Sequence, residues 1–117
     1  NELAPRPHNS GHQTIEGNMT SQFGQHLRAI FNLPLGSTAA RSNAVMINLL
    51  GEPKYEGLAK YEGVEEILAI EGVFVHLYGK KYTKPFRKMG HVCIINDNRE
   101  LAISNARKVQ SILKVKA

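Results

Sequence analysis

The sequence has no tryptophan and one cysteine, Cys93. A single thiol forms no disulfide within the chain, so a reducing cytoplasm is the expected setting. Cys93 lies in the apolar run His91–Ile95, which predicts a small buried hydrophobe and not a reactive thiol. Aromatic residues make up only 7% of the chain, so the core has to rest on Leu, Ile, Val, Ala and a few Phe. No apolar run approaches the roughly 20 residues of a membrane span. No signal peptide is visible, and no membrane partner is expected. Acidic residues are missing between Glu71 and Asp97.

What is there describes a folded chain. Apolar residues are 42% and charged residues 21% of 117, enough for one compact domain or two small lobes. A net charge of +5 suits an anionic partner without identifying one. The chain opens without Met, and its first residues already read as mid-domain sequence, so further chain is expected upstream.

Pro5 and Pro7 hold Asn1–Pro7 extended, and Asn9–Gly11 reads as a turn. Thr20 or Ser21 caps a helix to about Phe31, with Phe23, Leu27, Ile30 and Phe31 on one face. A polar connector, 37–43, separates residues 1–42 from residues 43–117. Ala44–Leu50 reads as a buried strand, Lys54–Gly63 as a loop, and Val64–Ile70 as a short helix. Val73–Tyr78 and His91–Asn96 are strands that pair across a basic turn, Gly79–Lys88. Asp97 or Asn98 caps a last helix to about Lys114, its inner stripe Ala102, Ala106, Val109 and Leu113. Lys108, Lys114 and Lys116 are expected near its C-terminal dipole end. The fold class is α+β with a mostly antiparallel sheet.

Two polar constellations stand out. Asn1–His12 (NELAPRPHNSGH) presents Glu2, Arg6, His8, Asn9, Ser10 and His12 from a stiff segment. A carboxylate beside an amide oxygen suits Mg²⁺ completed by phosphate. Arg6 offers a fork for a carboxylate, bicarbonate or phosphate. A polar surface loop is the plain alternative. His8 and His12 have zinc-ligand spacing on a helix, but Pro5, Pro7 and Gly11 argue against a helix through both. The second constellation, Gly79–His91, gathers Lys80, Lys81, Lys84, Arg87 and Lys88. It could hold a substrate phosphate or remain a solvated hairpin. Nucleic-acid binding would use the same charges, but only Tyr82 and Phe86 are interleaved, so none is expected. His26 and His76 fall beside core positions and read as structural.

The string NELAPRPHNSGH closely resembles the motif of the 5-(carboxyamino)imidazole ribonucleotide synthases, the ATPase subunits of phosphoribosylaminoimidazole carboxylase, which are ATP-grasp enzymes. The resemblance continues through TSQFGQHLRAI and LPLGSTAARSNAVMINLLG, and returns at YGKK and KPFRKMGHV; it is weakest over Lys54–Gly72. It implies the C-terminal end of an ATP-grasp domain (1–42) followed by a small, mostly antiparallel C-terminal domain with a terminal helix (43–117). It implies a purine-biosynthesis ligase using ATP, bicarbonate and 5-aminoimidazole ribonucleotide. Asn1 and Glu2 are implied at the ATP–Mg²⁺ site, with Glu2 as the metal ligand. Arg6, His8, Asn9 and Ser10 are implied at the bicarbonate and aminoimidazole pocket, with catalytic roles for Arg6, His8 and Asn9. Lys80, Arg87 and Lys88 are implied as holders of the 5′-phosphate. The parent is expected to be a homodimer with N-terminal and central ATP-grasp lobes, without which these residues are expected to be inactive. Two positions depart from the family pattern: Phe86 replaces a frequent Gly, and Gln13 an aromatic. A related ATP-grasp carboxylase or formyl transferase, and a non-catalytic phosphate- or nucleic-acid-binding module, are the alternatives.

Overall fold

The computed structural model describes residues 3–117; the metal and ATP assignments on Asn1 and Glu2 lie outside the described residues. Three antiparallel strands form the main sheet. In chain order these are β1 (Asn43–Leu50), β4 (Val73–Leu77) and β6 (Lys88–Asn96), with β6 in the middle. The expected β4–β6 pairing is present, and His76 faces His91 across it. The first strand is an edge, and β6 carries the buried run.

Alternation gives this sheet two different faces. Val45, Ile47 and Leu49 of β1 share one face with Val92 and Ile94 of β6 and with Val73 and Val75 of β4. That face packs on α4 (Arg99–Ile112) through Ala106, Val109 and the following Leu113. Ala102 completes a buried stripe, as its spacing predicts. Asn98 caps the helix by accepting from the backbone N–H groups of Glu100 and Leu101.

The opposite face carries His76, His91 and Cys93 and is covered by the N-terminal segment. The expected turn at Asn9–Gly11 is the start of a 3₁₀ helix, Asn9–Gln13, that runs on into α1 (Thr14–Gly17). Local signals there are weak, and the turn is held by the His8 cap and by the Thr14 hydroxyl bonding to the Gly11 carbonyl. Gly17 permits the close approach of α1 to the sheet: a Cβ there would lie 2.7 Å from the Ala44 Cβ.

Next comes α2 (Gln22–Ile30), with Ser21 accepting from the Gly24 N–H as its cap. Its apolar face does not enter the core: Leu27, Ile30 and Phe31 are 55–67% exposed. Only Phe23 finds an aromatic partner, stacking on His12. The connector does not float, since Ala40 bridges to Asn18 and the Arg41 N–H donates to the Gly17 carbonyl.

The stretch read as a loop holds two short strands, β2 (Gly57–Leu58) and β3 (Lys60–Glu62), before α3 (Val64–Leu68). Their partners are β5 (Tyr82–Thr83), inside the basic turn, and β7 (Lys114–Lys116), beyond α4. Lys114 and Lys116 therefore sit on a strand just past α4; Lys114 Nζ still donates to the Gln110 carbonyl of the helix's last turn at 2.8 Å, as its place near the dipole end predicts, whereas Lys116 turns to β3. Lys116 Nζ lies 2.6 Å from Glu62 on β3.

Candidate active site

In the N-terminal segment, Arg6 is exposed, and among the described residues its guanidinium donates only to the neighbouring Pro7 carbonyl, at 3.3 Å. His8 is also exposed, but its ring is oriented. Nδ1 accepts the Ser10 backbone N–H at 3.2 Å and lies 3.1 Å from the Ser10 hydroxyl. An accepting Nδ1 puts the neutral ring's proton on Nε2, which leaves an N–H to offer a ligand. Asn9 and Ser10 open the 3₁₀ helix beside it. His8 and His12 point to different neighbours: His8 to Ser10, His12 into the sheet.

The basic turn leaves β4 through Gly79, whose φ of +66° is left-handed. Lys80 then folds back: its Nζ donates to the Lys88 carbonyl at 2.5 Å and lies 5.6 Å from the centre of the Tyr78 ring. Arg87 Nη1 donates to the Tyr82 carbonyl at 3.0 Å. None of Lys80, Arg87 and Lys88 meets a carboxylate among the described residues. At Met89 the β1–β6 register slips, since Leu49 pairs with Gly90 but Leu50 with Lys88, so a bulge stands where the turn enters the sheet. Phe86, the departure from the family pattern, has φ +61°, a conformation suited to glycine.

Between the two constellations lies a group that the residue patterns did not single out. Phe23, His12, His91 and His76 form one continuous ring stack. Centroid separations are 5.4, 4.2 and 4.4 Å, with interplanar angles of 21°, 4° and 11°. The Tyr78 hydroxyl lies 3.3 Å from His12 Nε2 and 3.0 Å from His91 Nδ1. At the far end, His76 Nε2 is 2.8 Å from Glu16 Oε1. His76 is thus structural, as expected, but as part of a cluster. The cross-strand phase of His76 and His91 was the available signal; the apolar run around His91 hid it.

The surroundings of His12 and His91 favour neutral rings. Burial pushes the His91 imidazole down to about 4, and the neighbouring His12 and His76 push the same way. His12 is lowered by burial first, then by His76, Lys88 and His8. Lys88 is therefore near enough to act on the ring that anchors the Arg6–Ser10 segment. His12 Nδ1 and His91 Nε2 are buried without partners among the described residues, so a doubly protonated ring would hold one buried N–H without an acceptor. Burial raises the Tyr78 phenol, and burial with the adjacent Glu16 raises the Cys93 thiol to about 12, leaving it unreactive.

A cavity of about 230 Å³ opens elsewhere, between the end of β1 and α4; of the two constellations it touches only Phe86. Among the described residues no group of three metal-ligating side chains occurs. No helix of the described chain is long and apolar enough to cross a membrane.

Comparison with known proteins gives this arrangement a context. Residues 44–105 match the model of the phosphoribosylaminoimidazole carboxylase C-terminal domain, and residues 1–23 match that of the ATP-grasp domain. N5-carboxyaminoimidazole ribonucleotide synthase of Aquifex aeolicus is 43% identical over 114 residues, covering 97% of this chain and 30% of that protein. The crystal structure of N5-carboxyaminoimidazole ribonucleotide synthetase from Thermotoga maritima superposes with a TM-score of 0.93 at 57% identity, over 97% of this chain and 32% of that one. The Aspergillus clavatus enzyme in complex with ADP and 5-aminoimidazole ribonucleotide gives 0.76 at 35% identity, over 91% and 28%. This chain spans about a third of the length of such relatives.

Proposed function

Because this chain belongs to the phosphoribosylaminoimidazole carboxylase C-terminal domain family, we propose that it carries the carboxylate-handling segment and the phosphate loop of a 5-(carboxyamino)imidazole ribonucleotide synthase. The proposed reaction consumes ATP, bicarbonate and 5-aminoimidazole ribonucleotide. A bicarbonate oxygen attacks the γ-phosphorus, the bond to ADP breaks, and carboxyphosphate forms. The exocyclic amine then attacks the carboxyl carbon. Phosphate leaves, the amine gives up a proton, and the carboxyamino ribonucleotide results.

Each residue has a role suited to its chemistry. Lys80, Arg87 and Lys88 hold the ribonucleotide 5′-phosphate, because an anion supplies the charged partner they lack among the described residues. Arg6 steadies carboxyphosphate by electrostatics. His8, through Nε2–H, orients the carboxyl group together with Asn9 and Ser10. Asn1 and Glu2 face ATP, and Glu2 is the ligand proposed for Mg²⁺, which would neutralise charge on the transferring phosphoryl group. We assign residues 1–42 to an ATP-grasp domain and 43–117 to the small C-terminal domain. A cytoplasmic, homodimeric enzyme is the proposed setting. These 117 residues hold no lobe to cover ATP, so alone they should not turn it over.

The observation that supports this most is the contact that ties the two polar stretches together, the Tyr78 hydroxyl 3.3 Å from His12 Nε2. Calorimetric titration with 5-aminoimidazole ribonucleotide tests it. Binding should weaken at least tenfold in Lys80→Ala or Arg87→Ala. Salt-sensitive binding of arbitrary oligonucleotides, with no preference for the ribonucleotide, would favour a nucleic-acid-binding module instead.

A further inference from the structure

We propose that Tyr78 is a positioning residue that couples the phosphate loop to the carboxylate-handling segment. This rests on the assignment of Lys80 and Arg87 to phosphate. Tyr78 stands where three parts of the molecule meet. Its backbone N–H donates to the Met89 carbonyl at 3.0 Å, on the bulge where the basic turn enters β6. Its ring lies under the Lys80 ammonium. Its hydroxyl reaches His91, fixed in the sheet at 2% exposure, and His12, four residues along the chain from His8.

The hydroxyl has one proton and faces two imidazole nitrogens. It donates to one ring, and the other ring's N–H can donate back to its oxygen. How strongly the phenol donates depends on the charge above its ring. An ammonium over the π-face withdraws electron density and strengthens the O–H donor; drawing the ammonium away weakens it. A phosphate on the loop competes for the Lys80 N–H groups that now face the Lys88 carbonyl and the Tyr78 ring. Anion capture at Lys80 is therefore reported through the phenol to His12, and along the 3₁₀ helix that His12 shares with Asn9 and Ser10. The stack suits this relay because the His12 and His91 rings lie face to face, 4.2 Å apart and 4° from parallel.

Side-chain ¹⁵N spectroscopy of the 117-residue chain, titrated with inorganic phosphate at fixed pH and ionic strength, tests the coupling. In the unmodified chain, the His12 and His91 ring nitrogens should shift along the same saturation curve as the Lys80 and Arg87 signals. In Tyr78→Phe, which keeps the ring and removes only the hydroxyl, phosphate affinity should stay within about twofold while the His12 ring shift falls at least fivefold. A second variant, Lys80→Met, should abolish the ring response even where Arg87 and Lys88 still take up phosphate. An unchanged His12 shift in Tyr78→Phe overturns the coupling and leaves the phosphate assignment intact. Absence of any saturable shift at Lys80 and Arg87 overturns that assignment and the coupling with it.

Discussion

Phe86 shows how one residue can be at odds with its backbone. Its φ of +61° costs a side-chain-bearing residue roughly 1–2 kcal/mol relative to glycine, part of which glycine returns as extra chain entropy when unfolded. Because the side chain is 69% exposed, little packing would be lost on truncation. Phe86→Gly should therefore stabilise the chain by about 0.5–1 kcal/mol, read as a rise of a few degrees in Tm by calorimetry. His91 makes the opposite point, a residue suited to its site only when neutral. Unfolded, its ring takes a proton near 6.5; folded, near 4. Between those values the unfolded chain binds more protons, so stability is intact above about pH 6.5 and is lost as pH falls through the window. The loss attributable to His91 should reach about 2 kcal/mol at pH 5. Urea unfolding of the chain and of His91→Asn at pH 7 and pH 5 should show the gap between them narrowing by about that amount. Nothing in the residue pattern around His91 announced this. A buried run such as His91–Ile95 conceals its phase, and only the register against β4 sets His91 opposite His76.

Among the elements, those with a strong periodic signal and a cap were legible. Ser21 starts α2, Asn98 starts α4, and β4 pairs with β6 as the alternation requires. The two- and three-residue strands β2, β3, β5 and β7 were not, because segments so short have no period and exist only through tertiary pairing. Amphipathicity also proved separable from burial. The stripes of α2 and α4 look alike in sequence, yet Leu113 is 5% exposed and Leu27 is 55% exposed. Leu113→Ala should cost about 2–5 kcal/mol through the transfer and cavity terms. Leu27→Ala should cost less than about 1 kcal/mol, since Ala is the better helix former and little area is at stake. Chemical denaturation of the two variants side by side checks the contrast.

At the scale of the whole molecule, the sheet separates support from chemistry. One face rests on α4 and supplies most of the apolar core; the other holds the histidine stack that fastens the N-terminal segment to the strands bearing the basic turn. Arg6 through Ser10 and Lys80 through Lys88 were both visible in the sequence as separate polar groups. Their common anchor was not, since it takes contributions from Glu16, His12, His76, Tyr78 and His91, spread over much of the chain. This arrangement gives the proposed function a direct test. Residues 1–117 are exchanged for the matching third of the Thermotoga maritima relative, and ADP release is measured with and without bicarbonate and 5-aminoimidazole ribonucleotide. The chimera should release ADP only when both are present, with a KM for the ribonucleotide raised at least tenfold by Lys80→Ala. A folded, ATP-binding chimera whose ADP release ignores bicarbonate and ribonucleotide would contradict the proposed function.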